Sequence, residues 1–240
     1  MRKMLSLFMT VVLVLWLMCS AVFAATTACS GGSVALTFDD GPTLETNAVL
    51  DALSLHRLKA TFFLIGWNVQ AYPGIAQRIV REGHHVGNHT MYHQDLTQMT
   101  VEQVDQDLKA TNDVIWQVTG FRPKFARPPY GLTNATVETV MAKNGLTQVI
   151  WSQDSWDWAG ASTDDILNQL TIVPPGGTIV MHDRLPNTLA AIPGIYWYFN
   201  TYWRATPICA GRLEQTTNVQ PVLDWLGLFY FARAVPWQAR

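Results

Sequence analysis

The chain has 240 residues, of which 49% are hydrophobic and 14% charged, with 16 Lys+Arg against 18 Asp+Glu and a net charge of -2. That is ample apolar material for one large core and too little charge for a disordered chain. It offers no basic surface to a phosphate backbone, so no nucleic-acid partner is expected. Ten Trp, seven Tyr and ten Phe suit a protein that stacks on sugar rings, with core packing as the plainer account of most of them.

Residues 1–24 are expected to be a secretory signal peptide. Arg2 and Lys3 form a short positive start, the run from Leu5 to Met18 is apolar, and Val22-Phe23-Ala24 sets small residues at a cleavage site. An uncleaved anchor is the alternative, because the apolar run is nearly long enough to span a bilayer. Cleavage after Ala24 predicts a secreted protein, extracellular or held at the cell wall, without stable membrane association. It leaves two cysteines, Cys29 and Cys209. In an oxidising compartment they suggest one bridge tying the chain ends together, with two separate buried thiols as the alternative.

Beyond Ala24 short apolar runs alternate with helical patterns. Strands are expected at Ser33–Phe38, Ala60–Ile65, His84–Gly87, Pro123–Ala126, Thr147–Trp151 and Gly177–His182. Helices are expected at Leu44–Arg57, Ala71–Glu82, Thr163–Leu170 and Leu189–Tyr202. Two more are bounded by their end signals: a capping box at Thr100–Gln103 before a helix to Val118 and Gly120, and Thr133 as cap of a helix closed by Gly145. Repeated strand–helix units with strands this apolar imply a parallel sheet covered on both faces, so an α/β barrel or an open α/β sheet. Asp39-Asp40, Asn88-His89, Arg127, Asp154 and His182-Asp183 each stand where an apolar run ends. A barrel gathers all such ends on one rim, whereas an open sheet gathers only those beside its switch point. The barrel is favoured.

Asp39 and Asp40 place two carboxylates side by side before a Gly-Pro turn. Adjacent strand residues point opposite ways, so the two acids are expected to do different work; ordinary turn capping is the bland reading. His89 and His93 stand four apart, which on one helical turn sets both rings on one face to grip a metal ion. With one carboxylate of the Asp pair they make a three-ligand site, and a site with an open fourth position is a catalytic one. His84 and His85 are read as structural. In Arg127-Pro128-Pro129-Tyr130-Gly131 the first backbone donor after Arg127 is that of Tyr130, fixed by a stiff turn and suited to an oxyanion. Asp154-Ser155-Trp156-Asp157-Trp158 and Met181-His182-Asp183 bring further acids, indoles and a histidine to the last strand ends. No Gly-x-Ser-x-Gly elbow is present, which argues against a serine hydrolase.

The ordered motifs TFDDGP (37–42), HTMYH (89–93), RPPYG (127–131), DSWDW (154–158) and IVMHD (179–183) resemble those of the polysaccharide deacetylases, carbohydrate esterase family four. The similarity runs from about Ser33 to Arg212. It implies a distorted (β/α) barrel, usually of seven strands, that removes acetyl groups from chitin, chitooligosaccharides, peptidoglycan or xylan with one divalent metal ion. Zn2+ is the expected ion, with Co2+ and Ni2+ as the other candidates. Carried over by motif, Asp40, His89 and His93 would be the metal ligands and Asp39 the catalytic base, oriented by Arg127. The backbone N–H of Tyr130 would help hold the oxyanion, and His182, tuned by Asp157, would be the general acid. Tyr130 and Trp158 would contact substrate, with Trp158 walling the groove. Gln94 stands where the family often has proline. The resemblance makes residues 25–212 the catalytic domain and leaves 213–240 as a tail of unassigned role.

The physical chemistry of such a site is the attack of an activated water on an acetyl carbonyl, with release of acetate. The expected substrate is an acetylated polysaccharide or oligosaccharide containing N-acetylglucosamine, bound by a monomer; O-deacetylation of acetylxylan is the alternative. A glycoside hydrolase using two of Asp39, Asp154 and Asp157 would explain the aromatics but leaves the histidines without work. A non-catalytic carbohydrate-binding protein would not need the metal triad.

Overall fold

The computed structural model describes residues 33–201 and 209–211. Its central element is β1 (Ser33–Gly41), in which Val34 through Phe38 are buried without alternation. That pattern belongs to a parallel strand covered on both faces. In chain order follow α1 (Thr46–Leu55), β2 (Thr61–Leu64), α2 (Gly66–Ala71), α3 (Pro73–Arg81), β3 (His85–Asn88), α4 (Val101–Thr119) and β4 (Phe125–Ala126). Then come α5 (Ala135–Lys143), β5 (Thr147–Gln148), β6 (Gln153–Asp154), α6 (Thr163–Leu170), β7 (Thr178–His182), α7 (Pro186–Thr201) and β8 (Cys209–Gly211).

The strands pair in parallel in the order β5-β4-β3-β2-β1-β7-β6, with β8 pairing the start of β1. Seven parallel strands thus form a curled half-barrel, and all of them end on one rim. The largest apolar cluster joins Leu36, Phe38, Phe62, Leu64, Ile179 and Met181 of the strands to Val49, Leu53 and Ile195 of the helices. A second one under α4 and α5 contains Leu108, Val137 and Met141.

Four local expectations are corrected. Of the strand expected at 147–151 only Thr147–Gln148 pairs, as β5, and a separate strand, β6, follows beyond it at Gln153–Asp154, at the other end of the sheet. No ladder joins them among the described residues; the chain from Val149 to Ser152 crosses the gap, bonding Ala126 O at one side and Thr178 O at the other. The helix expected at 71–82 begins only at Pro73, as α3, while Ala71 closes the separate helix α2; the break is at Tyr72 (φ -128°, ψ 56°), because Pro73 disfavours helical geometry in the residue before it and starts α3. The cap of α5 is Asn134, whose Oδ1 accepts from Val137 N–H; the hydroxyl of Thr133 donates instead to Gln148 Oε1 at 2.6 Å. The last helix begins at Pro186, an N-terminal residue type the apolar pattern alone did not mark. The capping box at Thr100 and Gln103 and the left-handed Gly120 (φ 70°) are present as expected.

Residues 1–32, 202–208 and 212–240 lie outside the described residues, and with them the signal segment, the tail and Cys29 of the expected bridge to Cys209. Among the described residues no helix is long and apolar enough to cross a membrane.

The half-barrel is tightly filled where β2, β3 and β4 meet. A Cβ added at Gly87 would stand 2.5 Å from the Phe63 ring and 3.3 Å from the Phe125 carbonyl oxygen. Neither neighbour is a flexible side-chain end, so Gly87→Ala is expected to destabilise the fold by about 1–3 kcal/mol. The shift of the urea unfolding midpoint measures it.

Candidate active site

The rim is organised by one buried cation. Arg127, immediately after β4, is wholly inaccessible, and its guanidinium lies 4.1 Å over the Phe63 ring and 5.6 Å from that of Trp151. Nη1 donates to Asp39 Oδ1 at 2.7 Å and to Thr37 Oγ1 at 2.8 Å, and Nε donates to Val149 O at 3.1 Å. Burial lowers the Arg127 pKa and the adjacent Asp39 charge raises it in part. A guanidinium stays charged through such a shift. One side chain therefore reaches β1 and the segment that crosses between the sheet's two ends.

Asp39 and Asp40 are not splayed to opposite faces. Asp40 has φ 73° and is the extra residue of an irregularity between Asp39 and Gly41 in the ladder with β2. Such a bulge re-aims side chains, and here both carboxylates approach His89 Nε2, Asp40 Oδ1 at 3.6 Å and Asp39 Oδ2 at 3.9 Å. Their partners nevertheless divide them: Asp39 is held by Arg127, whereas Asp40 faces His89 and His93.

His89 and His93 do not share a helical turn either. They lie on the loop after β3, where Thr90 (φ 65°) and His93 (φ 56°) are left-handed. Side chains fold the loop: Thr90 N–H donates to Asn88 Oδ1 at 2.9 Å and His93 N–H to Thr90 Oγ1 at 3.0 Å. The two imidazoles end 5.0 Å apart. His89 Nδ1 is 2.7 Å from Arg127 O. A carbonyl can only accept, so Nδ1 carries the proton and Nε2 presents a lone pair.

Asp40 Oδ1, buried and without an aligned donor, therefore meets the His89 lone pair at 3.6 Å, and His93 Nε2 lies 3.2 Å from the same oxygen. Burial opposes ionisation of Asp40, but hydrogen bonds and positive charge from His89, His93 and His182 in their protonated forms outweigh it and hold the carboxyl well below the usual range when no metal is bound. An anion and an imidazole lone pair converging on one point need a cation between them. One ligand atom from each of Asp40, His89 and His93 lies within 4.8 Å of the others, and two imidazoles with a carboxylate suit a divalent transition metal.

Across the rim His182 closes β7. Its Nδ1 is 2.8 Å from Asp157 Oδ1, and its Nε2 lies 4.0 Å from Asp40 Oδ2. Burial alone would lower the His182 pKa; the bond and charge of Asp157, with the fields of Asp39 and Asp40, raise it overall. Asp157 Oδ2 also accepts from His182 N–H at 2.6 Å and from Thr188 Oγ1 at 2.5 Å. The Asn187 amide ties the Asp157 and Ala161 carbonyls together. Thr188 and Asn187, on the first turn of α7, were not legible as site residues, because nothing in their spacing links them to the DSWDW segment.

Tyr130 (φ 61°) has no acceptor for its N–H among the described residues. Its exposed ring stands edge-on to His93, centroids 4.6 Å apart. Trp158 is half exposed, 5.6 Å from Trp156, and its Nε1 donates to Asp154. Asp183, to which the sequence assigned no work, is fully buried and accepts from Thr46 Oγ1 at 2.7 Å. Burial and the nearby Asp40 charge push its carboxyl up to about 7. Beside His93 a cavity of about 580 Å³ opens, lined in part by Tyr130, Gln94, Asp95 and Gln98.

An α/β half-barrel with its polar cluster at the carboxyl ends of the strands defines a class of rim-site enzymes. The family model for polysaccharide deacetylases matches residues 27–149, and the chain belongs to that family. It is 42% identical over 151 residues to a peptidoglycan-N-acetylglucosamine deacetylase of Bacillus cereus, covering 62% of this chain and 55% of that protein. It is 42% identical over 157 residues to a chitooligosaccharide deacetylase of Bradyrhizobium, covering 64% of this chain and 72% of the relative. Among solved structures, a family 4 carbohydrate esterase from Streptomyces lividans in complex with acetate superposes with a TM-score of 0.72 at 41% identity, covering 77% of this chain and 94% of that one. The same fold is held, at 24% identity and a TM-score of 0.69, by a Bacillus anthracis protein described as a pseudoenzyme. Activity is thus a matter of the site and not of the fold.

The raised His182 pKa couples stability to pH. Its protonated form contributes stability below the ordinary value of 6.5, and that contribution is lost as pH rises through the higher folded value. In the metal-free protein the ring is expected to titrate above 6.5, and Asp157→Asn should move the midpoint to lower pH. An NMR titration of the ring protons reads both; an unchanged midpoint would remove Asp157 as its cause.

Proposed function

We propose that the protein removes acetyl groups from a glycan containing N-acetylglucosamine, releasing acetate, with Zn2+ held by Asp40, His89 and His93. The observation that carries the reading is the juxtaposition of a cation site with an Arg-paired carboxylate on one side and a carboxylate-paired histidine on the other. A divalent ion in that site supplies Lewis acidity toward the acetyl group and a water molecule.

The remaining work falls to the chain. Asp39, fixed by its pairing with Arg127, takes the proton of the attacking water. The Tyr130 N–H, without a competing acceptor in its own backbone, donates to the developing oxyanion. His182 carries its proton on Nε2 when charged, and Asp157 at its other nitrogen favours that form; it hands the proton to the leaving nitrogen. Trp158 lines the sugar's path. The glycoside hydrolase alternative lacks two unencumbered acids, because Asp39 is paired with Arg127, Asp157 with His182, and Asp154 with two indole-bearing residues.

The protein is further read as a secreted monomer whose catalytic domain spans 25–212, with 1–24 removed and Cys29 bridged to Cys209. The relatives' names support an N-acetylglucosamine substrate. A panel of acetylated chitooligosaccharides, peptidoglycan and acetylxylan with acetate detection tests this. Release from acetylxylan alone would favour the ester substrate.

The adjacent acids are expected to fail differently. Asp40→Asn loses an anionic ligand, so metal affinity should fall and excess zinc should restore part of the rate. Asp39→Asn should keep its metal and lose about 10²–10⁴-fold in rate whatever ion is added. Elemental analysis beside the rate of each purified variant decides it; loss of the metal by Asp39→Asn alone would reverse the assignment.

A further inference from the structure

A second aromatic pair stands on the same rim, away from the DSWDW segment. Trp67 lies on the first turn of α2, just after β2, and Tyr92 lies between His89 and His93 on the loop after β3. Their rings are 6.2 Å apart at 39°, and they are 57% and 59% exposed. Large apolar rings left in water beside a site call for an occupant more than isolated surface leucines do.

The backbone beneath them is fixed. Gly66 N–H donates to Thr90 O at 2.9 Å and Trp67 N–H to Met91 O at 3.1 Å, so the two loops are stitched together. The next residue, Asn68, donates from Nδ2 to Asp40 O at 2.8 Å. Met91 is buried between the two segments. The pair is therefore held in register with the carbonyl of Asp40 and with the loop that carries both histidines.

The sheet order sets its direction. In β3-β2-β1-β7-β6, Trp67 and Tyr92 follow β2 and β3, the two acids and His182 follow β1 and β7, and Trp156 and Trp158 follow β6. Aromatic pairs thus stand on both sides of the acids and His182, one of them sharing the loop of His89 and His93. Strands are spaced by about 4.8 Å, so the loops after β2 and β6 are separated by about 15 Å along the rim. That span exceeds a disaccharide.

Resting on the deacetylase reading, we propose that Trp67 and Tyr92 form a distal carbohydrate platform, on which a pyranose ring of the same glycan stacks while another of its sugars occupies the polar cluster. The occupant follows from the chemistry. Aromatic faces take the C–H face of a sugar and leave its hydroxyls in water, and neither ring carries a charge that would select an ionic partner. The consequence is a preference for oligomers long enough to span the rim from the Trp158 side to the pair.

Calorimetric titration of the zinc-loaded full chain with β-1,4-linked glucosamine hexamer and dimer tests the platform without turnover. The wild type should bind the hexamer more tightly than the dimer. Trp67→Ala should weaken hexamer binding by about 3–10-fold, the scale of one lost aromatic contact, and leave the dimer unchanged, and Trp67→Phe should recover part of the loss. Equal hexamer affinities for wild type and Trp67→Ala, or a wild type that binds both oligomers equally, would overturn the platform. Acetate release by the wild type from the acetylated hexamer reports separately on deacetylation. Its absence would reject that reading while the affinities still decide the platform.

Discussion

The rim depends on the burial of Arg127. A guanidinium at zero exposure is tolerated only when its charge is matched, and Asp39 at 2.7 Å matches it. Removing one member of such a pair strands the other in a medium that solvates it poorly, at a cost of about 3–5 kcal/mol. The pair therefore fixes the position of Asp39, with one oxygen already committed to Arg127. The same residue's carbonyl sets the tautomer of His89, and its Nε holds the Val149 carbonyl on the segment that bridges the open side of the sheet. The proposed base, the proposed metal ligand His89 and the barrel wall share one anchor.

Two histidines on this rim have the same geometry and opposite electrostatics. Each has Nδ1 committed to an oxygen and Nε2 turned to the centre. For His89 that oxygen is a carbonyl, which fixes a lone pair on Nε2 without adding charge. For His182 it is the carboxylate of Asp157, which favours the imidazolium. One residue type is thereby given a lone pair in one place and a favoured positive charge in the other by the choice of partner.

Much of this was legible in the sequence. The alternation of apolar runs with helical patterns gives the parallel α/β architecture, and functional residue types at the ends of those runs give the rim. The loop geometry was not legible. His89 and His93 reach one point through left-handed residues at Thr90 and His93, where a four-residue spacing had suggested a helical turn. Asp39 and Asp40 converge through a bulge that a simple strand alternation cannot contain. The apolar run at 147–151 stops pairing at Gln148, and pairing resumes at Gln153 on the other end of the sheet, because the curvature, set by packing, brings those ends within a few residues of each other. Thr188 and Asn187 support Asp157 from a distant helix, a contact that exists only in the folded chain.

The central claim is that the structure separates two neighbouring carboxylates, one for Arg127 and one for the cation. The most direct measurement is the crystal structure of the zinc-loaded protein at neutral pH, with the ion located by its anomalous scattering. The ion is expected among Asp40, His89 Nε2 and His93 Nε2 at about 2.0–2.2 Å from each ligand atom, with Asp39 still bound to Arg127. An ion bound by Asp39, or placed away from the two histidines, would contradict the account.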